Sequence, residues 1–381
     1  MLGTLLDVFR LRQYFNVVTR LRELAAGVRE DTGFVTDVAR AVIPVPGRSD
    51  RPSASRVFDD APPANLPGLR GRRVALVSTG GSGALASIVG VARALEDGGV
   101  RPAVISVCSG SALFGFPLAA GLPAEEVGRF IAGLRPSQYV DLDWGALARL
   151  APTAGRGFAG LLRGERIEAA YRELLGGRCL GDLAVPAYAP VWNVEENRLE
   201  YLGPRTHPDV PVARAVRMAV ALPLFIEPVL LGHGHWCDGG IVDIFPVHPL
   251  LEIEDPCDVA VAVNGFYPPA FAGEDATGWE DRRGSIFLVA SQVRTCQQVE
   301  LARQNLARLR RHMPVVMLEP VPYSTVRGVG FYRQFLSARE WPAFMRAGRA
   351  CAARALTAAF GPERDGGGPS ADRQDRQEVL T

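Results

Sequence analysis

The hydrophobic and polar positions of residues 73–121 repeat one pattern twice. RVALVS (73–78) is a short, nearly continuous apolar run, which is typical of a strand that is buried on both faces of a sheet. A Gly-rich turn leads into ASIVGVARALEDGG (86–99), where apolar residues recur at helical spacing. PAVISV (102–107) and ALFGFPLAAG (112–121) then give a second strand and a second helix. Successive strand–helix units of this kind predict parallel strands that are covered by helices.

The same two periodicities extend along the chain as far as residue 360. A period of about 3.6 residues predicts helices in residues 123–134, 143–151, 166–177, 211–221, 292–312 and 341–360. Apolar runs and alternating segments predict strands in residues 185–203 (two strands joined by a turn), 258–265, 285–290 and 314–320. This alternation predicts an α/β fold, a three-layer sandwich with a mainly parallel central sheet covered by helices.

Composition divides the chain into four parts. Residues 1–45 are predicted to form an N-terminal helical segment, and the Pro-rich residues 46–71 a linker. Residues 72–360 form the predicted α/β domain. Residues 361–381 contain few apolar side chains, so we expect them to be a disordered tail.

The N-terminal segment is the part of the chain whose pattern is compatible with membrane contact. Apolar residues recur at roughly helical spacing as far as Leu24, with arginines between them. Such an amphipathic helix packs on the domain or a partner, or lies on a membrane surface as a peripheral contact. We favour the packed helix, because acidic residues soon dilute the basic character. Asp7, Arg10 and Arg12 interrupt the apolar stretch, so we expect neither a signal peptide nor a membrane-spanning helix.

Charge and cysteine content exclude several classes of protein. The net charge of +1 gives no reason to expect a nucleic-acid partner. The chain has no lysine, which excludes a P-loop, a kinase lysine and a lysine Schiff base. The six cysteines are scattered without a CxxC pair, and the five histidines lack metal-ligand spacing. We therefore expect no disulfide framework and no metal, and a protein that is cytoplasmic or peripheral to the membrane.

Three segments carry groups that are suited to acyl chemistry. Ser109 lies between small residues where the second predicted strand meets its helix, which is how α/β hydrolases expose a nucleophilic hydroxyl. One strand–helix unit earlier, a Gly-rich turn can supply N–H groups for an oxyanion. Asp238 precedes two glycines and can act as a base toward a serine. Taken singly, these features also fit a helix N-cap, a phosphate-binding turn and a turn between strands. The Gly-rich turn contains Gly80, Gly81, Ser82 and Gly83.

The three segments together, in this order, resemble the patatin-like phospholipases, whose members use a Ser-Asp dyad. The family's oxyanion turn, GGGxRG before a helix, is similar to residues 80–83. Its nucleophile elbow, GxSxGA, is similar to VCSGSA (107–112), and its catalytic DGG is similar to residues 238–240. A softer match is RAVRMAVALP (214–223), which is similar to the family's RASSAxP. The resemblance covers roughly residues 72–265.

The chain departs from the family pattern at the nucleophile elbow and at the oxyanion turn. Val107 and Ser111 replace the two glycines of the elbow, so the sharp turn must form without their backbone freedom. In the oxyanion turn, Ser82 replaces a glycine, and Ala84 or Leu85 stands where the family has an arginine. Loss of one oxyanion donor typically costs ~10²–10³ in rate. We favour a working enzyme, because both residues of the dyad are present.

The resemblance implies a lipid acyl hydrolase that needs no cofactor. It assigns the nucleophile to Ser109 and the base to Asp238, and it assigns the oxyanion donors to the amides of residues 80–83. The implied substrates are phospholipids, lysophospholipids or neutral lipids. Two alternatives stay open: a catalytically weak or inactive lipid-binding or scaffold protein with the same fold, and an acyltransferase.

Overall fold

Eight strands in the described part of the chain form one sheet. The structure is a computed structural model, and it describes residues 57–58, 63–150, 158–271, 286–326 and 329–362. The strands are β1 (Val74–Ser78), β2 (Val104–Ser106), β3 (Ala187–Asn193), β4 (Arg198–Leu202), β5 (Val229–Leu231), β6 (Gly234–Asp238), β7 (Val259–Val263) and β8 (Val315–Leu318).

The centre of the sheet is parallel and one edge is antiparallel. The strand order is β5-β6-β3-β2-β1-β7-β8, and β4 pairs with β3 outside this path. β1 pairs in parallel with both β2 and β7, and β2 with β3 and β7 with β8 are also parallel. The pairs of β3 with β4, β3 with β6 and β5 with β6 are antiparallel. The carboxyl ends of β1 and β2 therefore lie side by side, which brings the Gly-rich turn next to the elbow.

Helices cover both faces of this sheet. They are α1 (Ser87–Asp97), α2 (Ala112–Ala119), α3 (Ala124–Gly133), α4 (Pro136–Tyr139), α5 (Trp144–Leu150), α6 (Glu165–Leu175), α7 (Val212–Ala219), α8 (His248–Leu251), α9 (Ile286–Arg310), α10 (Tyr323–Val326), α11 (Val329–Leu336) and α12 (Trp341–Phe360). The predicted three-layer α/β fold is confirmed.

The two faces of β1 show how the sequence builds two cores. All five residues of β1 are buried, as the continuous apolar run predicts. Val74 and Leu76 join the core that contains α1, α7 and α12. Ala75 and Val77 point to the opposite face and join the core that contains α8 and α9. Successive side chains of a strand alternate in this way because the backbone is pleated.

One predicted strand is wrong. Residues 285–290 read as a short apolar run, but the helix α9 begins at Ile286 and continues to Arg310. A short apolar run fits a buried strand and a buried turn of helix equally well, so its period does not separate the two. The hairpin of β5 and β6 and the helices α10 and α11 were not predicted.

The outer parts of the chain are described only in part. The predicted N-terminal helical segment, residues 1–45, and the predicted tail beyond residue 362 lie outside the described residues. At the end of the predicted linker, Leu66 and Leu69 are fully buried against the domain. Within the described residues, each helix is too short or too polar to cross a membrane.

Candidate active site

Ser109 occupies a sharp turn between β2 and α2. Its backbone has φ +51°, in the left-handed region that a non-glycine residue seldom adopts. Ser109 is partly exposed, whereas its neighbours Cys108 and Gly110 are buried. Residues held in this region cluster at functional sites, where the surrounding structure keeps them in place. The turn therefore presents one hydroxyl at the carboxyl end of a central strand.

Ser111, in the place of a family glycine, braces this turn. Its hydroxyl lies 2.8 Å from the Cys108 carbonyl, to which it donates, and 2.8 Å from the Cys108 amide, from which it accepts. Both backbone polar groups of Cys108 are thereby fixed immediately before Ser109. Ser111 precedes the first residue of α2, yet its side chain does not cap that helix. Hydrogen bonds from the Ser111 side chain thus stabilise a turn that the family forms with a glycine.

Val107, in the place of the other elbow glycine, fits because α2 carries a glycine opposite it. A methyl group at Gly115 would lie 2.5 Å from Val107 Cγ1, which is much closer than van der Waals contact. Val107 is fully buried, and its amide donates to Tyr188 of the neighbouring β3 at 2.9 Å. The extra volume of valine is therefore taken up on the helix side of the elbow.

The Gly-rich turn packs directly on the elbow. A methyl group at Gly110 would lie 2.2 Å from the carbonyl oxygen of Gly81, so only glycine fits at this contact. Gly81 itself has φ +151°. A methyl group at Gly80 would lie 3.2 Å from Ser109 Cβ. The turn after β1 and the Ser109 turn after β2 are thus in backbone contact.

The amides of this turn divide into two sets. The Gly80 amide donates to the Ile244 carbonyl at 2.9 Å, so it holds the turn against the segment that follows Asp238. Gly83 and Ala84 open the short 3₁₀ helix Gly83–Ala86, and the first amides of a helix have no acceptor within it. Of the four predicted oxyanion residues, Gly80 is therefore the one whose amide has a hydrogen-bond partner among the described residues.

Asp238 is the last residue of β6 and is almost completely buried. Its amide donates to the Ala221 carbonyl at 3.0 Å, and its Oδ1 accepts from the Gly240 amide at 2.8 Å. The two glycines after it form a 3₁₀ turn, as the sequence indicates. The carboxylate is thus held by the turn that it begins.

The turn after Asp238 lies against the elbow. A methyl group at Gly240 would lie 2.8 Å from Cys108 Sγ and 3.0 Å from Asp238 Oδ1. The Cys108 thiol also donates to the Asp243 carbonyl at 3.4 Å. The structure therefore brings the Gly-rich turn, the Ser109 turn and the Asp238 turn into mutual contact at one end of the sheet.

Comparison with known proteins identifies the family of part of this chain. A family model described as patatin-like phospholipase matches residues 76–251, which include all three turns. Residues 76–251 belong to the patatin-like phospholipase family. The resemblance that the motifs carry is therefore confirmed for this part of the chain.

The relatives of this patatin-like domain are distant. An uncharacterized NTE family protein of Mycobacterium tuberculosis is 27% identical over 185 residues, which cover 46% of this chain and 49% of that protein. Lysophospholipase NTE1 of Cryptococcus neoformans is 25% identical over 213 residues, which cover 55% of this chain and 12% of that protein. The chain thus spans about half the length of the mycobacterial protein and a small part of the fungal one.

Two solved structures are also similar to this chain. VipD from Legionella pneumophila has a TM-score of 0.44 and 16% sequence identity, with 75% of this chain and 66% of that chain covered. The type III effector protein ExoU has a TM-score of 0.36 and 16% identity, with 77% of this chain and 53% of that chain covered.

Two cysteines flank the proposed dyad of the patatin-like domain. Burial, with the charges of Asp238 and Asp243 nearby, raises the pKa of the Cys108 thiol well above its ordinary value. Burial and the charge of Asp238 raise the pKa of Cys237 to about 12. Because a thiolate and not a thiol is the nucleophile, neither cysteine competes with Ser109 near neutral pH.

A buried carboxylate that the sequence analysis did not single out holds the loop after Asp238. The Asp243 carboxylate accepts from Tyr201 Oη at 2.5 Å, from Asn305 Nδ2 at 2.9 Å and from the Phe245 amide at 3.2 Å. Burial raises the pKa of this carboxyl, while the Tyr201 and Asn305 hydrogen bonds oppose the rise. The sequence contains a signal for this buried carboxylate, since Asp243 is the one acidic residue in the otherwise apolar stretch IVDIF.

A glutamine of α9 fixes the same loop from outside. Gln298 Nε2 donates to the Gly240 carbonyl at 2.8 Å, and Gln298 Oε1 accepts from Tyr267 Oη at 3.1 Å. Gln298 lies far from the motifs in sequence, so the motif pattern carries no signal for it. The loop that begins with Asp238 is therefore held from both sides.

Aromatic side chains of the patatin-like domain pack against the helices that follow it. Phe225 and Phe335 lie edge to face with ring centroids 4.9 Å apart, and Phe114 and Trp341 lie edge to face at 5.6 Å. Phe114 is fully buried, so it serves the core. Leu222 and Leu224, close in sequence to Phe225, keep part of their surface exposed.

Proposed function

We propose that this protein is a serine-dependent lipid acyl hydrolase whose catalytic dyad is Ser109 and Asp238. The observation that carries the proposal is the left-handed backbone of Ser109, at φ +51°, on a turn packed against both the Gly-rich turn and the Asp238 turn. A strained serine at such a junction is the arrangement of a nucleophile elbow. Membership of the patatin-like family supports the reaction class.

In the first half of the reaction, Asp238 takes the proton of the Ser109 hydroxyl as the oxygen attacks the ester carbonyl carbon. The carbonyl oxygen becomes an oxyanion, which N–H groups of the Gly-rich turn stabilise. We assign this role to Gly81, Ser82 and Gly83, because the Gly80 amide donates to Ile244. Collapse of the intermediate breaks the ester bond, and the leaving alcohol takes the proton from Asp238.

In the second half, a water molecule replaces the leaving alcohol. Asp238 accepts a proton from this water, which attacks the acyl carbon of the acyl-enzyme. Collapse releases the fatty acid and returns the proton to Ser109. Asp238 is buried, so bulk water is kept from its carboxylate. The base therefore exchanges protons with the serine hydroxyl, the leaving alcohol and the attacking water.

The substrate that we propose is a lipid ester, such as a phospholipid, a lysophospholipid or a neutral lipid. Leu222 and Leu224 are partly exposed and lie on the loop after α7. This loop lies next to Asp238, because the Asp238 amide donates to the carbonyl of Ala221. Leu224 has φ +70°, so this loop is also held in an uncommon conformation. We propose these two leucines as contacts for an acyl chain.

Hydrolysis of p-nitrophenyl butyrate and octanoate tests the dyad. We expect Ser109→Ala and Asp238→Asn each to lower kcat/KM by at least about 10³-fold, as removal of a nucleophile or its base does elsewhere. Ser137→Ala and Asp209→Asn change an exposed serine and an exposed aspartate, and they should retain wild-type activity. The melting temperature of each variant is measured as well, and activities are compared only among variants whose melting temperatures match that of the wild type.

Three outcomes would redirect the proposal. Activity that survives in Ser109→Ala would contradict the assigned nucleophile. Wild-type protein that hydrolyses neither ester, nor lysophosphatidylcholine in vesicles, would favour a lipid-binding protein. Ester product formed only with an added alcohol would favour acyl transfer.

A further inference from the structure

The helices α11 and α12 lie beyond the residues that match the family model, yet they contact the Gly-rich turn. α12 packs on α1 so closely that a methyl group at Gly90 would lie 1.8 Å from the Met345 carbonyl oxygen. α1 follows the Gly-rich turn directly in sequence. The C-terminal helices therefore form the support on which the turn and its helix rest.

Gln334 of α11 connects this support to the turn. Ser82 Oγ donates to Gln334 Oε1 at 3.2 Å, and Gln334 is 1% exposed. The other end of the same amide, Nε2, donates to the Thr325 carbonyl at 3.0 Å, and the Gln334 carbonyl accepts from Trp341 Nε1 at 2.7 Å. The glutamine is thus fixed by α10 and α12, and its remaining acceptor faces Ser82.

The same helices close off the back of the turn. A methyl group at Gly83 would lie 1.9 Å from Trp341 Nε1 and 2.4 Å from the Gln334 carbonyl oxygen. Ser82 and Gly83 are therefore held by a hydrogen bond at one residue and by direct contact at the next. Oxyanion donors contribute most when they are fixed in place before the reaction, because a small misplacement weakens them strongly.

We propose that Gln334 is a positioning residue for hydrolysis, which orients the oxyanion donors of Ser82 and Gly83 through the Ser82 hydroxyl. The inference rests on the proposed function, since it assigns a task to a turn that this function uses. Gln334 does not touch the substrate. Loss of its hydrogen bond therefore leaves ground-state substrate binding unchanged but misplaces the donors that act on the oxyanion, which lowers the rate of the chemical step.

Kinetics with p-nitrophenyl octanoate test this role. Gln334→Met keeps the length of the side chain and removes its amide, and Ser82→Ala removes the hydroxyl. We expect each to lower kcat about 10- to 100-fold with KM changed less than about threefold, because misplaced donors stabilise the transition state less. The double variant should be no slower than the slower single variant, since both changes break one connection.

Two control variants separate positioning from stability. Leu356→Ala truncates a fully buried residue of α12 and destabilises the same helices without touching the turn. Gln304→Met removes a glutamine amide on the surface of α9. Both should keep the wild-type kcat. A loss of kcat in Leu356→Ala as large as in Gln334→Met would overturn the proposal, and so would a wild-type kcat in Gln334→Met.

Amide hydrogen exchange provides a readout that does not depend on activity. We expect peptides that cover residues 79–86 to exchange faster in Gln334→Met and Ser82→Ala than in the wild type, and to be unchanged in Leu356→Ala. Unchanged exchange in Gln334→Met would overturn the positioning role. If the wild type hydrolyses no ester but the exchange of this turn still rises in Gln334→Met, the proposed function fails while the structural connection stands.

Discussion

At the scale of single residues, the turn around Ser109 shows how the elbow forms although Val107 and Ser111 replace its two glycines. Ser111 fixes both backbone groups of Cys108, and Val107 finds its space at Gly115. The turn that carries the proposed nucleophile could be predicted, because a strand, a serine and a helix follow one another. The sequence did not reveal the brace, because the same serine is equally suited to cap a helix.

Replacement of Ser111 by alanine should loosen the Ser109 turn. Both side-chain hydrogen bonds to Cys108 are lost in a buried place, while the one from the Ser111 amide to the Cys108 carbonyl remains, so we expect the free energy of unfolding to fall by about 1–2 kcal/mol. We expect kcat/KM for p-nitrophenyl butyrate to fall about tenfold or more, since Ser109 loses its fixed neighbour. Denaturant unfolding and steady-state kinetics measure the two effects.

Ser87 provides a matched control for this variant. Its hydroxyl is also buried, but it has no hydrogen-bond partner among the described residues. Ser87→Ala should therefore leave stability unchanged or slightly improved, because it removes an unsatisfied polar group. Equal effects of Ser87→Ala and Ser111→Ala would show that the brace contributes nothing.

Asp243 should make stability depend on pH. Burial raises the pKa of its carboxyl above the ordinary value of 3.8, so the folded protein binds this proton more tightly than the unfolded chain. The stability from this group is fully present below pH 3.8 and is lost as the pH rises through the raised pKa. Asp243→Asn cannot ionise and avoids this loss.

The free energy of unfolding of Asp243→Asn, relative to that of the wild type, should therefore rise with pH above about 4 and then level off. Denaturant unfolding at several pH values between about 4 and 8 measures the difference. A difference that stays constant over this range, or falls as the pH rises, would contradict the raised pKa.

At the scale of elements, the sequence predicted which segments form helices better than it predicted how they meet. The patterns of β1, α1, β2 and α2 are local, so each could be predicted from its own residues. The contact of α1 with α12 joins residues that are far apart in sequence, at Gly90 and Gly348, and no periodicity indicates such a pair. For the same reason the Gln334–Ser82 hydrogen bond could not be predicted.

Replacement of Gly90 by alanine should disturb this helix crossing. The new methyl group would lie 1.8 Å from the Met345 carbonyl oxygen, so the helices must move apart. We expect a loss of about 1–3 kcal/mol in the free energy of unfolding, which is typical of overpacking. Gly133→Ala, at the end of α3 where a methyl group meets nothing within 4 Å, should cost little or stabilise the protein. Equal melting temperatures for the two variants would contradict the close crossing.

At the scale of the whole molecule, the proposed site is assembled from three turns and a support. The turns follow β1, β2 and β6, and all three lie within the residues that match the family model. The support is contributed by α10, α11 and α12, which follow that match. The motifs could be predicted because their chemistry needs particular residues in particular turns, whereas the supporting contacts are ordinary packing that many sequences could supply.

The most direct test of the account is to find which residue reacts with a mechanism-based probe. A fluorophosphonate with an alkyl chain forms a stable bond to an activated serine, and peptide mass spectrometry then locates the label. We predict a single label on Ser109, at a rate that Asp238→Asn reduces by about 10³-fold or more. A label on another residue, or wild-type protein that stays unlabelled while correctly folded, would contradict Ser109 as the nucleophile.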